Sequence, residues 1–188
     1  MNKQQAIYSP HVRDDNVAEY PAPDLYEVNN SLQLVEEIQR EIKKEKTGSI
    51  SFSHFMEMCL YTPGLGYYTS SSNKFGESGD FYTAPEITPL FGQTLAQQCL
   101  EIMPSLSQPS ILEIGAGCGT LAVPMLLELI EHGCAPDKYY ILELSNDLRQ
   151  RQQQQLAQAV PDFFDNIIWL DSLDENLGEL IVIANEVL

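Results

Sequence analysis

The sequence predicts an α/β fold: a parallel, Rossmann-like sheet of which the first four strands are present, preceded by a helical and loop cap. Three observations carry this reading. An apolar run at 111–114 passes directly into glycines at 115, 117 and 119, as expected where a strand turns sharply into a helix. Further apolar runs of strand length lie at 139–144, 167–170 and 180–184, with helical patterns at 121–131 and 145–160 between the first three strands. The resulting order, β-α-β-α-β, then a loop or short helix, then β, implies parallel strands joined by right-handed crossovers.

Three regions follow along the chain. Residues 1–29 are polar, with Pro10, Pro21 and Pro23 and no sustained period, so they read as an extended arm. Residues 30–107 read as the helical cap and a covering loop, and 108–188 as the first half of the sheet domain. In the cap, Leu32, Leu34, Val35, Ile38 and Ile42 keep a helical period from Ser31 until Gly48, and the charged run 36–46 reads as its solvated face. Ser53 can cap a short helix at 55–60, which Thr62-Pro63-Gly64 ends. An aromatic, glycine-rich loop follows at 61–81. Thr88-Pro89 starts a helix reaching about Met103. Further on, Ser145 caps the helix 145–160, in which Gln152 to Gln155 read as a solvated face.

Composition narrows the function classes. The chain has 188 residues, 44% hydrophobic and 20% charged, with a net charge of -17. Such a balance opposes non-specific binding to nucleic acid or an anionic membrane and suits a basic partner. Cys59, Cys99, Cys118 and Cys134 lie far apart with no C-x-x-C pair, which argues against a metal site or disulfide framework and for a reducing compartment. No signal peptide or membrane-length apolar run is evident, so a cytoplasmic protein is expected.

The loop Glu113-x-Gly115-x-Gly117-x-Gly119 lets a ligand approach backbone that carries no Cβ atoms. Its spacing is not the G-x-G-x-x-G that aims a helix N-terminus at a pyrophosphate. An acid two positions before the first glycine instead suits S-adenosylmethionine (SAM), which has no phosphate but carries a sulfonium and an amino-acid end. Glu113 can answer that positive end directly or through water. Glu143, at the end of the second strand, can accept from both ribose hydroxyls, although a strand-end acid is also ordinary. Asp171, with Ser172 beside it, is placed to meet the adenine amino group, yet both are common turn residues. Asn185 and Glu186 follow the fourth strand, on the edge where open α/β sheets bind ligands, and are the leading substrate-side candidates.

Several motifs together resemble the MidA-like SAM-dependent methyltransferases. These are Phe55-Met, Leu60-Tyr-x-Pro-Gly-x-Gly-Tyr-Tyr68, Phe75-Gly, Gly79-Asp-Phe-x-Thr-Ala-Pro-Glu86, Leu90-Phe-Gly92, Leu112-Glu-x-Gly-Ala-Gly-x-Gly-Thr-Leu121 and Ala184-Asn-Glu-Val-Leu188. The resemblance covers about residues 50–188. It implies a class I methyltransferase fold, SAM as cofactor and protein arginine as substrate class, since the family includes a mitochondrial factor that methylates an arginine of a respiratory complex I subunit during assembly. Two positions depart from the family: Cys118, often Arg, and Pro124, often Asp, which falls in the first turn of its helix, where proline fits. Family members continue past the Asn-Glu motif into further strands and helices. The chain stops at Leu188 and so reads as a truncated product, a proteolytic fragment or an incomplete gene model.

On this reading Asp80, Glu86 and Glu186, with Asn185, are the catalytic candidates, their carboxylates orienting a guanidinium and balancing its charge. The segment 79–86 folds over the cofactor or frames the substrate entrance; alternatively it is a plain Ω-like loop. Tyr67, Tyr68, Phe81 and Tyr82 could stack on a planar group but read first as packing. The expected partner is a protein bearing an arginine or a basic patch, and a homo-oligomer is compatible with the sequence. Two readings compete. One is an oxidoreductase holding NAD on the same half-sheet, which the glycine spacing disfavours. The other is a non-catalytic assembly or scaffolding factor that keeps the fold.

Overall fold

The computed structural model describes residues 23–70, 83–173 and 177–187. The first helix, α1 (Leu25–Lys44), starts inside the stretch that the sequence assigns to the arm. Its start is set by a reciprocal cap: Asp24 accepts the Glu27 N–H at 2.8 Å, and Glu27 accepts the Asp24 N–H at 2.9 Å. Apolar periodicity cannot see a cap made by two acids. Arg40 pairs with Glu37 and Lys44 with Glu41 on the solvated side. The second helix, α2 (Phe52–Tyr61), is longer than expected and is capped by Ser51, whose hydroxyl accepts from His54 N–H at 3.1 Å, rather than by Ser53. Neither α1 nor α2 contains a buried residue.

A four-residue helix, α3 (Ala84–Ile87), lies within the stretch expected to be loop, and α4 (Leu90–Ile102) follows, with Thr88 Oγ1 accepting the Leu90 N–H. The sheet domain is β1 (Ser110–Ile114), α5 (Ala122–Glu131), β2 (Tyr139–Leu142), α6 (Asn146–Ala159), β3 (Ile167–Leu170) and β4 (Leu180–Ala184). All strand pairings are parallel, in the order β3-β2-β1-β4, with Leu112 aligned to both Tyr140 and Val182. The chain therefore steps outward from β1 to β3 and then returns to the other side of β1. Such a reversal opens a crevice at the carboxyl ends of the two strands that flank it.

One face of the sheet carries the core. Ile111, Tyr139, Ile141 and Ile167 form one cluster with Ala122, Met125, Leu126 and Leu129 of α5, Leu156 of α6 and Ala96 and Cys99 of α4. Each Leu, Ile or Met fully buried here contributes roughly 1.5–3 kcal/mol. The region 30–107 thus divides, because α4 is part of the core while α1 and α2 are not. The seam between α4 and α5 depends on Gly92, where a Cβ would stand 2.6 Å from Pro124 Cγ. Tyr140, Ile168 and Val182 alternate onto the opposite face, outside that cluster, and Val182 is 55% exposed. No helix among the described residues is long and apolar enough to cross a membrane.

Candidate functional site

A cavity of about 570 Å³ lies at the carboxyl edge of the sheet, within the range of ordinary small-molecule sites. Its floor comes from the loop after β1 (Glu113 to Cys118), the end of β2 (Leu142 to Leu144) and the end of β4 (Asn185 to Val187). The rest of its lining, its wall, comes from α2 and the turn after it (Met56, Leu60, Tyr61, Tyr68) and from Thr83, Pro85 and Glu86 around α3. Among the described residues, the charged ones that line it are Glu86, Glu113, Glu143 and Glu186, with no Lys, Arg or His. Such a cavity repels phosphates and favours a cation.

The glycine loop works as the spacing predicts at two points and differently at a third. Gly117 has φ +54 and a Cβ there would meet nothing within 4 Å, so this backbone stands bare toward the cavity it lines. Gly115 has φ +66, and a Cβ on it would stand 2.9 Å from Val187 Cγ2, so the end of β4 closes directly onto the loop. Gly119 also needs its positive φ of +86, but it is not part of the cavity lining and rests against Gln152.

Glu113 is 3% exposed and accepts the Tyr139 hydroxyl at 2.7 Å. Burial pushes its pKa up to about 7, against the lowering effect of that hydrogen bond. Glu143 follows β2 instead of ending it, because the strand stops at Leu142. It accepts from Ser145 N–H at 2.9 Å and from the Gln152 amide at 3.3 Å, and burial raises its pKa as well. A carboxylate offers about four acceptor positions, so both acids keep capacity for a ligand. Two buried acids, a bare glycine and no lining cation fit a cofactor that carries positive charge and hydroxyls.

Glu86, Asn185 and Glu186 also line the cavity. Glu186 has φ +53, the only positive φ on a non-glycine among the described residues, a strain that clusters at functional sites. Thr83 N–H donates to Glu86 at 3.4 Å, linking that carboxylate to the start of α3. Asp80 lies outside the described residues. Asp171 and Ser172 are not brought to the cavity; both are exposed, and Asp171 pairs with Arg149 at 2.8 Å. That arginine also donates to Glu143 O at 2.6 Å and to Leu170 O, so it ties the ends of β2 and β3 together. The acid after β3 thus serves Arg149, a long-range contact that spacing does not reveal.

Of the four glutamines expected on a solvated face, Gln153 and Gln154 are exposed, but Gln152 is not. Its side chain is fully buried and donates to Gly117 O at 2.7 Å and to Glu143, while its own oxygen accepts the Trp169 indole N–H at 2.9 Å. One amide therefore joins the glycine loop, the acid after β2 and strand β3. The signal was present: Leu148, Gln152 and Leu156 recur every four residues and share the buried face of α6.

Residues 94–188 match the family model described as "Putative S-adenosyl-L-methionine-dependent methyltransferase". Among solved structures, the chain is similar to a COG1565 superfamily member from Burkholderia thailandensis bound to S-adenosyl-homocysteine. The identity is 36% and the TM-score 0.76, covering 87% of this chain and 43% of that one. The mitochondrial protein arginine methyltransferase NDUFAF7 of Xenopus laevis is 34% identical over 122 residues, 61% of this chain and 28% of that protein. Its Mus musculus counterpart is 31% identical over 140 residues, 70% of this chain and 31% of that protein. The chain spans less than half the length of each of these relatives.

Proposed function

The chain belongs to the family of SAM-dependent methyltransferases that its residues 94–188 match, and on that premise we propose that its cavity binds SAM and serves methyl transfer to a protein arginine. The observation that supports this most is the pair of buried acids, Glu113 and Glu143, lining one cavity with the bare backbone of Gly117 and with no basic side chain among the described lining residues. SAM brings a methyl group already activated by its sulfonium, so the protein's share is positioning the nucleophile and excluding water.

Glu113 would hold the cationic amino-acid end and Glu143 the ribose hydroxyls. Glu86 and Glu186, which both line the cavity, would orient a guanidinium through charge-assisted hydrogen bonds, and one of them would take the proton that the nitrogen gives up on methylation. Arginine as the acceptor is supported by the named activity of the NDUFAF7 relatives. A net charge of -17 suits a basic protein partner.

The test is calorimetric titration with SAM, S-adenosyl-homocysteine and NAD, followed by transfer of labelled methyl from SAM to lysate proteins and identification of the labelled amino acid. Binding of the first two ligands but not NAD, and label on arginine that disappears in Glu113→Ala and Glu143→Ala, is expected. Label indifferent to both substitutions sinks the proposal.

A further inference from the structure

The motif Leu60-Tyr-x-Pro-Gly-x-Gly-Tyr-Tyr68 has no role in the mechanism above, yet its geometry is specific. The chain after α2 folds back on itself: Tyr67 N–H donates to Cys59 O at 2.8 Å and Tyr68 N–H to Leu60 O at 2.9 Å. Gly66 makes the fold-back possible, since a Cβ there would come within 2.6 Å of the backbone nitrogens of Tyr61 and Thr62. The result brings two tyrosines side by side. The rings of Tyr61 and Tyr68 stack with centroids 5.7 Å apart and 25° between planes, and Tyr67 meets Tyr68 edge-on at 5.0 Å. Ordinary packing would bury such a pair, but α2 has no buried residue, Tyr61 is 37% exposed, and both stacked rings line the cavity.

We propose that Tyr61, braced by Tyr68, is a cofactor-binding residue whose ring covers the nucleoside half of SAM from the side opposite Glu143. This rests on the reading of the cavity as a SAM site. The half is chosen by neighbourhood. Burial, then Tyr68, then the Glu143 carboxylate raise the Tyr61 phenol pKa, so the ring stands within electrostatic reach of the acid assigned to the ribose. Leu142, Leu144 and Leu148 line the same cavity and supply apolar surface around that acid. Aromatic stacking of this kind is tolerant in detail and strong enough to measure, a single base–ring contact corresponding to about a tenfold change in affinity or more.

The experiment measures binding of S-adenosyl-homocysteine and of 5′-methylthioadenosine, which lacks the amino-acid end, to the whole chain and its variants. Tyr61→Ala should weaken both ligands by about tenfold, Tyr68→Ala should weaken both by less, and Tyr61→Phe should stay within about threefold of the parent. Hydrogen exchange on the unsubstituted chain guards against a folding artefact: amides 60–69 should slow when S-adenosyl-homocysteine is added. If the unsubstituted chain binds neither ligand, the SAM-site reading itself falls. If it binds and Tyr61→Ala binds as tightly, the assignment of Tyr61 is overturned alone. A loss seen with S-adenosyl-homocysteine but not with methylthioadenosine overturns it too, as do a Tyr61→Phe loss well beyond threefold and unchanged exchange at 60–69.

Discussion

The floor of the cleft and the wall above it are held by different means. On the floor, Glu113 and Glu143 are each less than a tenth exposed; Glu113 accepts from Tyr139, Glu143 accepts from Ser145 N–H and Gln152, and the fully buried Gln152 behind them donates to Gly117 O and accepts from Trp169. In the wall, α2 and the helix α1 beside it bury no residue, and Phe52 at the start of α2 is 75% exposed, although Pro85 of α3 is buried. Yet this same wall presents the stacked tyrosines to the cavity. On the proposed function the two regions would divide the work: the hydrogen-bonded floor would fix where the cofactor sits, and the wall, with fewer buried residues, would supply the stacked tyrosines.

Replacing Gln152 by Ala strikes the floor hardest. Gly117 O, Glu143 and the Trp169 indole would each lose a partner, and a loss of about 3 kcal/mol in urea-melt stability is expected. A cost below about 1 kcal/mol would show that the floor is no more tightly tied than the wall.

The next effect is a pH dependence. Unfolded, the Glu113 carboxyl ionises near its ordinary value of 4.5; folded, it stays protonated up to about 7. Between these values the native state binds the extra proton, so the contribution of Glu113 to stability is fully present below pH 4.5 and is lost as pH rises through 7, by at most about 1.4 kcal/mol per unit. Glu113→Gln should flatten most of this slope, leaving a remainder of the same sign from Glu143, whose pKa is also raised. A wild-type stability curve that rises from pH 5 to 7 would contradict the burial of these acids.

Gly92→Ala tests the boundary between the two regions. A methyl 2.6 Å from Pro124 Cγ forces α4 off α5 at roughly 1–3 kcal/mol, partly offset by up to about 1 kcal/mol of helix propensity, so a net loss near 1 kcal/mol is expected by thermal melting. Phe52→Ser should change stability by less than about 0.5 kcal/mol. A cost above 1 kcal/mol would mean that the wall is covered in solution and that the contrast with the floor is false.

The floor is also the more legible region in the sequence. Strands announce themselves by short apolar runs, and the sharp turn out of β1 needs glycine, so the spacing alone places Glu113, Gly115, Gly117, Asn185 and Glu186 at one edge. Glu143 is legible for the same reason, one residue past the strand. What escapes are contacts that join distant positions. Asp171 reads as an adenine contact or an ordinary turn residue, and pairs instead with Arg149 on another element. Gln152 is hidden by composition, because a run of four glutamines looks solvated unless its position between Leu148 and Leu156 is counted. Tyr61 and Tyr68 are legible as a motif but not as a wall, since only the fold-back at Gly66 sets them side by side.

The amide of Gln152 also has a consequence for traffic through the site. A lysine or arginine in its place would steady Glu143 equally well but would cancel its charge. The neutral amide steadies the acid and leaves the charge unspent. With no cation among the described lining residues, a phosphate-bearing nucleotide would meet the carboxylates of Glu86, Glu143 and Glu186 without a described basic side chain to offset them. On the proposed function, the same field would distinguish the two ends of the reaction. The donor would arrive with a positive sulfur and leave without it, so the acidic lining would act on the donor with an attraction that the product's sulfur no longer feels.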